Sequence, residues 1–423
     1  MEEQLLQFIW HRKLFQSAEL VTTAQEPIEI LYPGTPNQDQ GPDFLQSRVR
    51  IGDQLWAGHV EIHILSSAWF LHMHDQDTHY NNVILHVVWE EDQPAITQDG
   101  YRVPCLELAK RIDVALLDRY RHLMNNEEWV PCASALNTVS PLIKTSWLDR
   151  MMAERLEQKT DLVLRLLDRC ANNWDQAFYA LLSRQLGAPA NSEAMEELGT
   201  RIPIRLLRKH KDRPDQVEAI LFGAAGMLGK EINEPYCLHL YNEFDFLRKK
   251  YQLRPMPALQ WKFMRMRPAH FPTLRIAQLA ALIIETDQFV SLFEHPFEAT
   301  DWIKLFSVSP SHEFWNDHFH FMSTTPGVIK RLGKSTAISL IINVVAPIMF
   351  VYGKHQGKPQ LKDKAIALLE GLPAEKNGMI SRWAETGWMV TDAAKTQGLL
   401  HLKKEYCDKR RCLHCAIGMQ VIK

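Results

Sequence analysis

The sequence has almost no charge excess of either sign: 48 Lys and Arg stand against 50 Asp and Glu, a formal net charge of −2. No global field draws the chain to nucleic acid or to an anionic membrane, so any basic binding surface must be local. Cysteine is sparse and odd in number, seven in all, at 105, 132, 170, 237, 407, 412 and 415. That count argues against a secreted disulfide framework and points to a reducing compartment. The opening Met1-Glu2-Glu3-Gln4 is acidic where a secretory leader is basic, so a cytoplasmic location is expected. There is no phosphate-binding Gly-rich loop, no GxSxG elbow and no Rossmann fingerprint. These absences lower the standing of an NTPase, a serine hydrolase or a dinucleotide enzyme. No low-complexity tract and no fixed repeat period is present. The one long apolar run, Ala337 to Tyr352, is short for a membrane span and is interrupted by Asn343 and Pro347, which predicts a buried helix.

What is present is an ordinary globular composition, 46% apolar and 23% charged, over 423 residues. That length is too great for one simple core and predicts two or three units. The expected class is α+β: a mixed-sheet α/β domain over residues 1–112, then a large all-helical domain over 113–423. Glu2 to Phe15 places Leu5, Leu6, Ile9, Trp10 and Leu14 on one helical face. Ile28 to Leu31 reads as a strand, and Asp43 to Ile51 with Leu55 to Leu65 reads as a hairpin about Gly52-Asp53. Ser66 or Ser67 is a candidate cap for a short helix running towards Tyr80. Val83 to Trp89 reads as a strand covered on both faces, and Val103 to Leu108 as the last strand. Beyond Ile112 the period becomes helical, over Trp147 to Arg169, Trp174 to Leu186, Gln216 to Leu228 and Glu234 to Tyr251. It continues over Arg275 to Glu285, Lys334 to Val345 and Thr391 to Tyr406.

The stretch around which the first unit is organised is Gly41-Pro42-Asp43-Phe44 followed by Gly58-His59-Val60-Glu61-Ile62-His63. Residues i and i+2 of a strand share a face, roughly 7 Å apart along the chain. Glu61 and His63 therefore project together, with His59 one step back, while Val60, Ile62 and Ile64 point into a core. Hairpin pairing brings Asp43 towards Glu61. Two carboxylates and an imidazole at one sheet edge suit a hard divalent cation, magnesium or manganese, and activation of water. The competing reading is a polar sheet face that meets solvent.

Six histidines, His59, His63, His72, His74, His79 and His86, fall within one short stretch interleaved with Asp75 and Asp77. That density of His and carboxylate suits zinc, manganese or iron. His72 and His74 are two apart and would not share a face of a helix. His63 is favoured because it shares a face with Glu61, and His86 because it interrupts a buried strand; Asp43, Glu61 and His86 form the expected metal set.

The order of elements and the placement of Asp43 and of Glu61-Ile62-His63 resemble the restriction-endonuclease-like, or PD-(D/E)XK, nuclease superfamily over about the first 110 residues. The resemblance implies metal-dependent phosphodiester hydrolysis, with Asp43 and Glu61 as metal ligands and His63 in the place of the family's lysine. A neutral imidazole can position water or bind metal but carries no permanent positive charge. Glu2 or Glu3 would be the additional acid that some members use. Over its whole length, through GPDF, VEIH, the His-rich segment and the terminal cysteines, the chain also resembles a bacterial family catalogued as a domain of unknown function. That likeness implies the domain layout and no activity.

Cys407, Cys412 and Cys415 supply three thiols at close spacing, enough to begin a tetrahedral zinc site or to hold an iron–sulfur cluster, with His414, His401 or a distant cysteine such as Cys237 as fourth ligand. They are otherwise reduced structural thiols. Basic residues gather at Arg205 to Arg213 and at Lys262 to Arg275, where Arg265, Arg267 and Arg275 lie among Trp261, Phe263 and Phe271. These can hold the phosphates of DNA or RNA while the aromatics stack on bases, or form a structural hinge. Two functional readings follow: a divalent-metal-dependent nuclease, or a non-catalytic scaffold on a degenerate nuclease fold.

Overall fold

The computed structural model describes residues 2–232, 234–325 and 330–423. It divides into two compact units, residues 1–144 with 403–423, and residues 145–402.

The first unit is built on a mixed sheet. Helix α1 (Glu3–His11) is followed by β1 (Ile28–Tyr32), the short β2 (Thr35–Pro36), β3 (Phe44–Ile51) and β4 (Gln54–Leu65). A crossover with the one-turn helix α2 (Ala68–Leu71) leads to β5 (Val83–Glu90) and β6 (Cys105–Glu107), and helix α3 (Val114–Asn125) follows. Sheet order is β1-β3-β4-β5-β6, with β2 pairing β3. β3 and β4 form the expected antiparallel hairpin, turning at Gly52, whose φ of +57° is open to glycine without Cβ strain. β4 and β5 run parallel, and so do β5 and β6. Such pairs need a crossover, and the His-rich stretch supplies the one from β4 to β5. Val83 through Val88 are all buried, the pattern of a strand covered on both faces.

Alternation along β4 is as the residues dictate: Val60 and Ile62 enter the core while Glu61 and His63 share the opposite face. α1 closes the core with Leu5, Leu6, Phe8, Ile9 and Trp10, each such burial contributing about 1.5–3 kcal/mol. The expected boundary at residue 112 does not coincide with the unit boundary. α3 buries Leu116, Leu117, Tyr120 and Leu123 in the same core as the sheet, and the C-terminal segment adds Cys412 and Ile422 to it. The serine cap expected at the crossover is not made by a serine side chain. The Asp92 carboxylate instead accepts from the Ser67 amide at 2.8 Å and the Ser66 hydroxyl at 3.0 Å.

Among the described residues, the regular structure of the second unit is helical apart from a two-stranded hairpin of His318–His320 and Ser323–Thr324. Its helices include Trp174–Leu186, Pro214–Ala224, Pro235–Tyr251 and Pro272–Glu285. The apolar run lies in the helix Lys334–His355, mostly buried within the protein. It carries a π-helical turn at Ile341–Val345 ahead of Pro347. Proline cannot donate to the preceding turn, and Lys159 Nζ satisfies the carbonyl of Ile342 at 3.2 Å and Asn343 Oδ1 at 3.1 Å.

Candidate metal centre

Asp43 is positioned by the turn before β3. Asn37 donates its amide to the Asp43 carbonyl at 2.8 Å and its side chain to the Pro42 carbonyl at 3.1 Å. The two acids then lock reciprocally: the Asp43 amide donates to Glu61 Oε2 at 2.9 Å, and the Ile62 amide donates to Asp43 Oδ2 at 3.0 Å. Gln7 of α1 donates to Asp43 Oδ1 at 2.8 Å. One turn before Gln7, Glu3 lies close enough to Asp43 and Glu61 to repel both, as the i, i+4 relation on a helix dictates. Of the two acids at the start of α1, Glu3 therefore belongs to the site, whereas Glu2 accepts the hydroxyl of Tyr120.

The imidazoles come from three segments. The parallel register places Glu61 opposite His86, and His63 Nδ1 lies 2.9 Å from His86 Nε2. His63 Nε2 lies 3.1 Å from His72 Nδ1 and 3.5 Å from Glu61 Oε1. His74 Nε2 lies 3.3 Å from the same Glu61 oxygen, yet it is buried without a hydrogen bond. Ligating nitrogens of His63, His72 and His74 all fall within 4.8 Å of one another.

Helical spacing had set His72 apart from His74, and the structure differs for a local reason. α2 ends at Leu71, Met73 takes a left-handed φ of +59°, and His74 starts a separate 3-10 turn. The chain therefore reverses between the two histidines, and both rings reach His63. His74 stacks on Tyr80 with centroids 3.7 Å apart. His86 sits behind His63 and engages it by its Nε2, while its Nδ1 is buried without a partner. The imidazoles grouped with His63 are those of His72 and His74.

Burial sets the charge states. It pushes the Asp43 carboxyl up to about 7, reinforced by the charge of Glu61. It pushes Glu61 up to about 8 against the lowering effect of the Asp43 amide. Burial also raises Glu3, opposed by His72 and His74. Burial, followed by the neighbouring rings, drives His63 down to about 2, and burial with His74 drives His86 to about 3. His63, His74 and His86 are thereby held neutral, and the carboxyls are costly to ionise without a compensating cation. The donor set of imidazole nitrogens and carboxylate oxygens, with a buried His74 Nε2 that makes no hydrogen bond among them, fits a borderline divalent metal such as zinc or manganese.

The basic residues expected to meet phosphates separate into two kinds. Arg275 is buried, donating to Gln278 Oε1 at 2.9 Å and lying 3.2 Å from His270 Nδ1, so it is a core group and not a phosphate contact. Its neighbours in the helix Pro272–Glu285 are almost all buried, which carries its guanidinium inward. Arg265 and Arg267 are exposed. In the other cluster, Arg208 and Lys211 are paired to Asp175 and Asp287. Arg205 and Lys209 line a groove of about 650 Å³ with Arg201, Tyr251 and Arg254.

Cys407, Cys412 and Cys415 lie in the first unit. Cys237 is buried in the helical core of the second, and His401 there faces Glu154 at 3.4 Å. Cys132, which sequence spacing gave no reason to single out, lies with the trio.

The family described as "Protein of unknown function (DUF2851)" matches residues 3–378, and the chain belongs to it. No curated protein and no solved structure matches the chain.

Proposed function

We propose that the first unit is a divalent-metal-dependent hydrolase of phosphodiester bonds in nucleic acid. The observation that carries this reading is the convergence of Glu61 with the imidazoles of His63, His72 and His74, backed by Asp43 and Glu3. Glu61, His72 and His74, with His63, would hold the metal; Asp43 fixes Glu61 through its amide and adds negative charge. A metal at such a site polarises a phosphoryl oxygen and lowers the pKa of water. His63, with Nδ1 against His86 and Nε2 facing the other candidate ligands, is held neutral and is a poor proton acceptor near pH 7. Asp43, not itself among those ligands and raised to about 7, is the better matched proton carrier. The imidazole share of the donors favours manganese or zinc over magnesium. The choice of phosphodiester rests on the sequence resemblance: an acid before β3, Glu61 two residues before His63 on β4, an acid on α1, and a parallel strand after a crossover.

One observation favours the scaffold reading. Both Asp43 carboxylate oxygens are already hydrogen-bonded, to Gln7 and to the Ile62 amide.

The test is cleavage of single- and double-stranded DNA and RNA in manganese, zinc or magnesium, by the wild type and by Asp43→Ala, Glu61→Ala and His72→Ala. Metal-dependent cleavage lost in Glu61→Ala and His72→Ala supports the proposal. Cleavage unchanged in those variants places the activity elsewhere, and none with any substrate and metal leaves the scaffold.

A further inference from the structure

The C-terminal segment folds back onto the first unit and is tied there at several points. Arg119 of α3 donates to the carbonyls of Ile422 and Lys423, each at 2.9 Å. Lys403 Nζ lies 5.1 Å from the ring centroid of Trp129, three residues before Cys132. The last helix, Ala416–Ile422, packs on α3 and on the 3-10 turn Ala133–Thr138 that Cys132 precedes. Cys412 is a buried member of the sheet core, and Cys132 packs against that same core together with Leu413 and Met419. Cys412 and Cys415 bracket one 3-10 turn, closed by the Cys415 amide donating to the Cys412 carbonyl at 3.2 Å. That turn is pressed close to the last helix: a Cβ on Gly418 would meet the Cys412 carbonyl at 2.4 Å.

Cys132 and Cys412 thus meet at one core, Cys415 lies across a single turn from Cys412, and the Arg410 amide, donating to the Cys407 carbonyl at 3.2 Å, folds Cys407 back towards that turn, so four thiols share one neighbourhood. Their mutual influence is consistent with this. Burial raises Cys132 to about 12, with Cys415 and Cys412 adding to it, and raises Cys407, with Cys132, Cys415 and Cys412 adding in turn. Burial raises Cys412 to about 11, with Cys415 adding and Arg410 opposing. All four are free thiols, so the crowding is not relieved by disulfides. Four soft donors in one neighbourhood suit a soft or borderline metal. Two cations lie near, Arg410 beside Cys412 and Lys403 beside Cys407, the latter already paired with Asp408.

We propose that Cys132, Cys407, Cys412 and Cys415 form a tetrathiolate site for one thiophilic metal centre that fastens the C-terminal segment to the first unit. Four cysteine sulfurs satisfy a structural zinc, at about 2.3 Å each, or an iron–sulfur cluster. Metal binding displaces four thiol protons to solvent. Because the ligands come from segments far apart in sequence, much of the binding energy is folding energy of this unit. This inference is independent of the hydrolase reading.

The experiment is metal analysis of the full-length chain purified anaerobically without chelator, with its visible spectrum, for wild type, Cys132→Ser, Cys412→Ser and the remote control Cys237→Ser. The expected result is stoichiometric zinc, or iron with inorganic sulfide and a broad visible band. It should persist in Cys237→Ser and be lost or sharply weakened in Cys132→Ser and Cys412→Ser. A second readout on the wild type does not depend on any variant folding. Cobalt added to chelator-stripped protein should give intense thiolate-to-cobalt charge transfer and the strong visible bands of a tetrahedral four-sulfur site. Retention of the metal in Cys132→Ser overturns the inference, as does cobalt binding without the charge-transfer bands.

Discussion

His63 Nδ1 lies 2.9 Å from His86 Nε2, a buried hydrogen bond in which the tautomer decides which ring donates. If His63 offers the lone pair of Nε2 to a metal, its Nδ1 carries the proton and donates it to His86. The supporting ring then fixes both the tautomer and the orientation of the ligating ring. His86→Ala should weaken divalent-metal affinity by about 10–100-fold while leaving the sheet folded. Isothermal titration with manganese or zinc measures this, and unchanged affinity would show that His86 is only a core residue.

The carboxyl of Glu61 gives the first unit a distinctive pH response. Its value rises from 4.5 to about 8 on folding, so the folded state holds more protons between those limits. Stability of the chelator-treated protein should therefore fall as pH rises from about 4.5 to 8. Glu61→Gln should flatten that decline, and added manganese or zinc should reverse it in the wild type only. Thermal unfolding across pH, with and without metal, tests both statements.

A buried acid in the helical unit behaves in the same direction without any metal. Glu218 accepts from the hydroxyl of Tyr236 and from Trp315 Nε1 at 3.2 Å, while its other oxygen has no partner. Burial holds it up at about 7, so its contribution to stability is lost as pH rises from about 4.5 through 7. Glu218→Gln should remove this slope and keep the acceptor for Tyr236 and Trp315. Glu218→Leu should cost about 1–3 kcal/mol for each donor left unsatisfied, read by denaturant unfolding at several pH values.

The buried and exposed arginines should separate cleanly. Arg275→Ala should lower the unfolding midpoint, because Gln278 and His270 lose a buried partner. It should not change the salt dependence of any nucleic-acid binding. Arg265→Ala and Arg267→Ala should leave stability within about 0.5 kcal/mol. If they touch phosphates, each should reduce the log–log salt slope by about one. Calorimetry with fluorescence anisotropy at graded salt makes the comparison.

Much of this architecture is local and was legible in the residues. A period of two fixed which side of β4 Glu61 and His63 occupy, because Val60 and Ile62 must enter the core. Gly52 between two strand-like runs fixed the hairpin, and with it the approach of Asp43 to Glu61. The helical periods after Ile112 identified several of the second unit's helices, although Pro and polar first turns displaced some of their starts by a few residues, and helices such as Ser192–Arg201 and Pro359–Glu370 were not picked out.

What the residues could not reveal depends on how separated segments dock. The convergence of His72 and His74 needed a helix that stops at Leu71 and a left-handed Met73, a conformation that side-chain pattern does not signal. Glu3 rather than Glu2 joins the acids because packing of Leu5, Leu6 and Ile9 sets the rotation of α1. Arg275 is drawn inward by the apolar helix that carries it, and no local charge pattern distinguishes it from exposed Arg267. Cys132 meets the terminal cysteines only because α3 and the last helix share one core, a contact between chain ends that spacing rules cannot see. Periodicity is a property of neighbours along the chain, whereas a site assembled from distant segments is decided by which apolar faces bury one another.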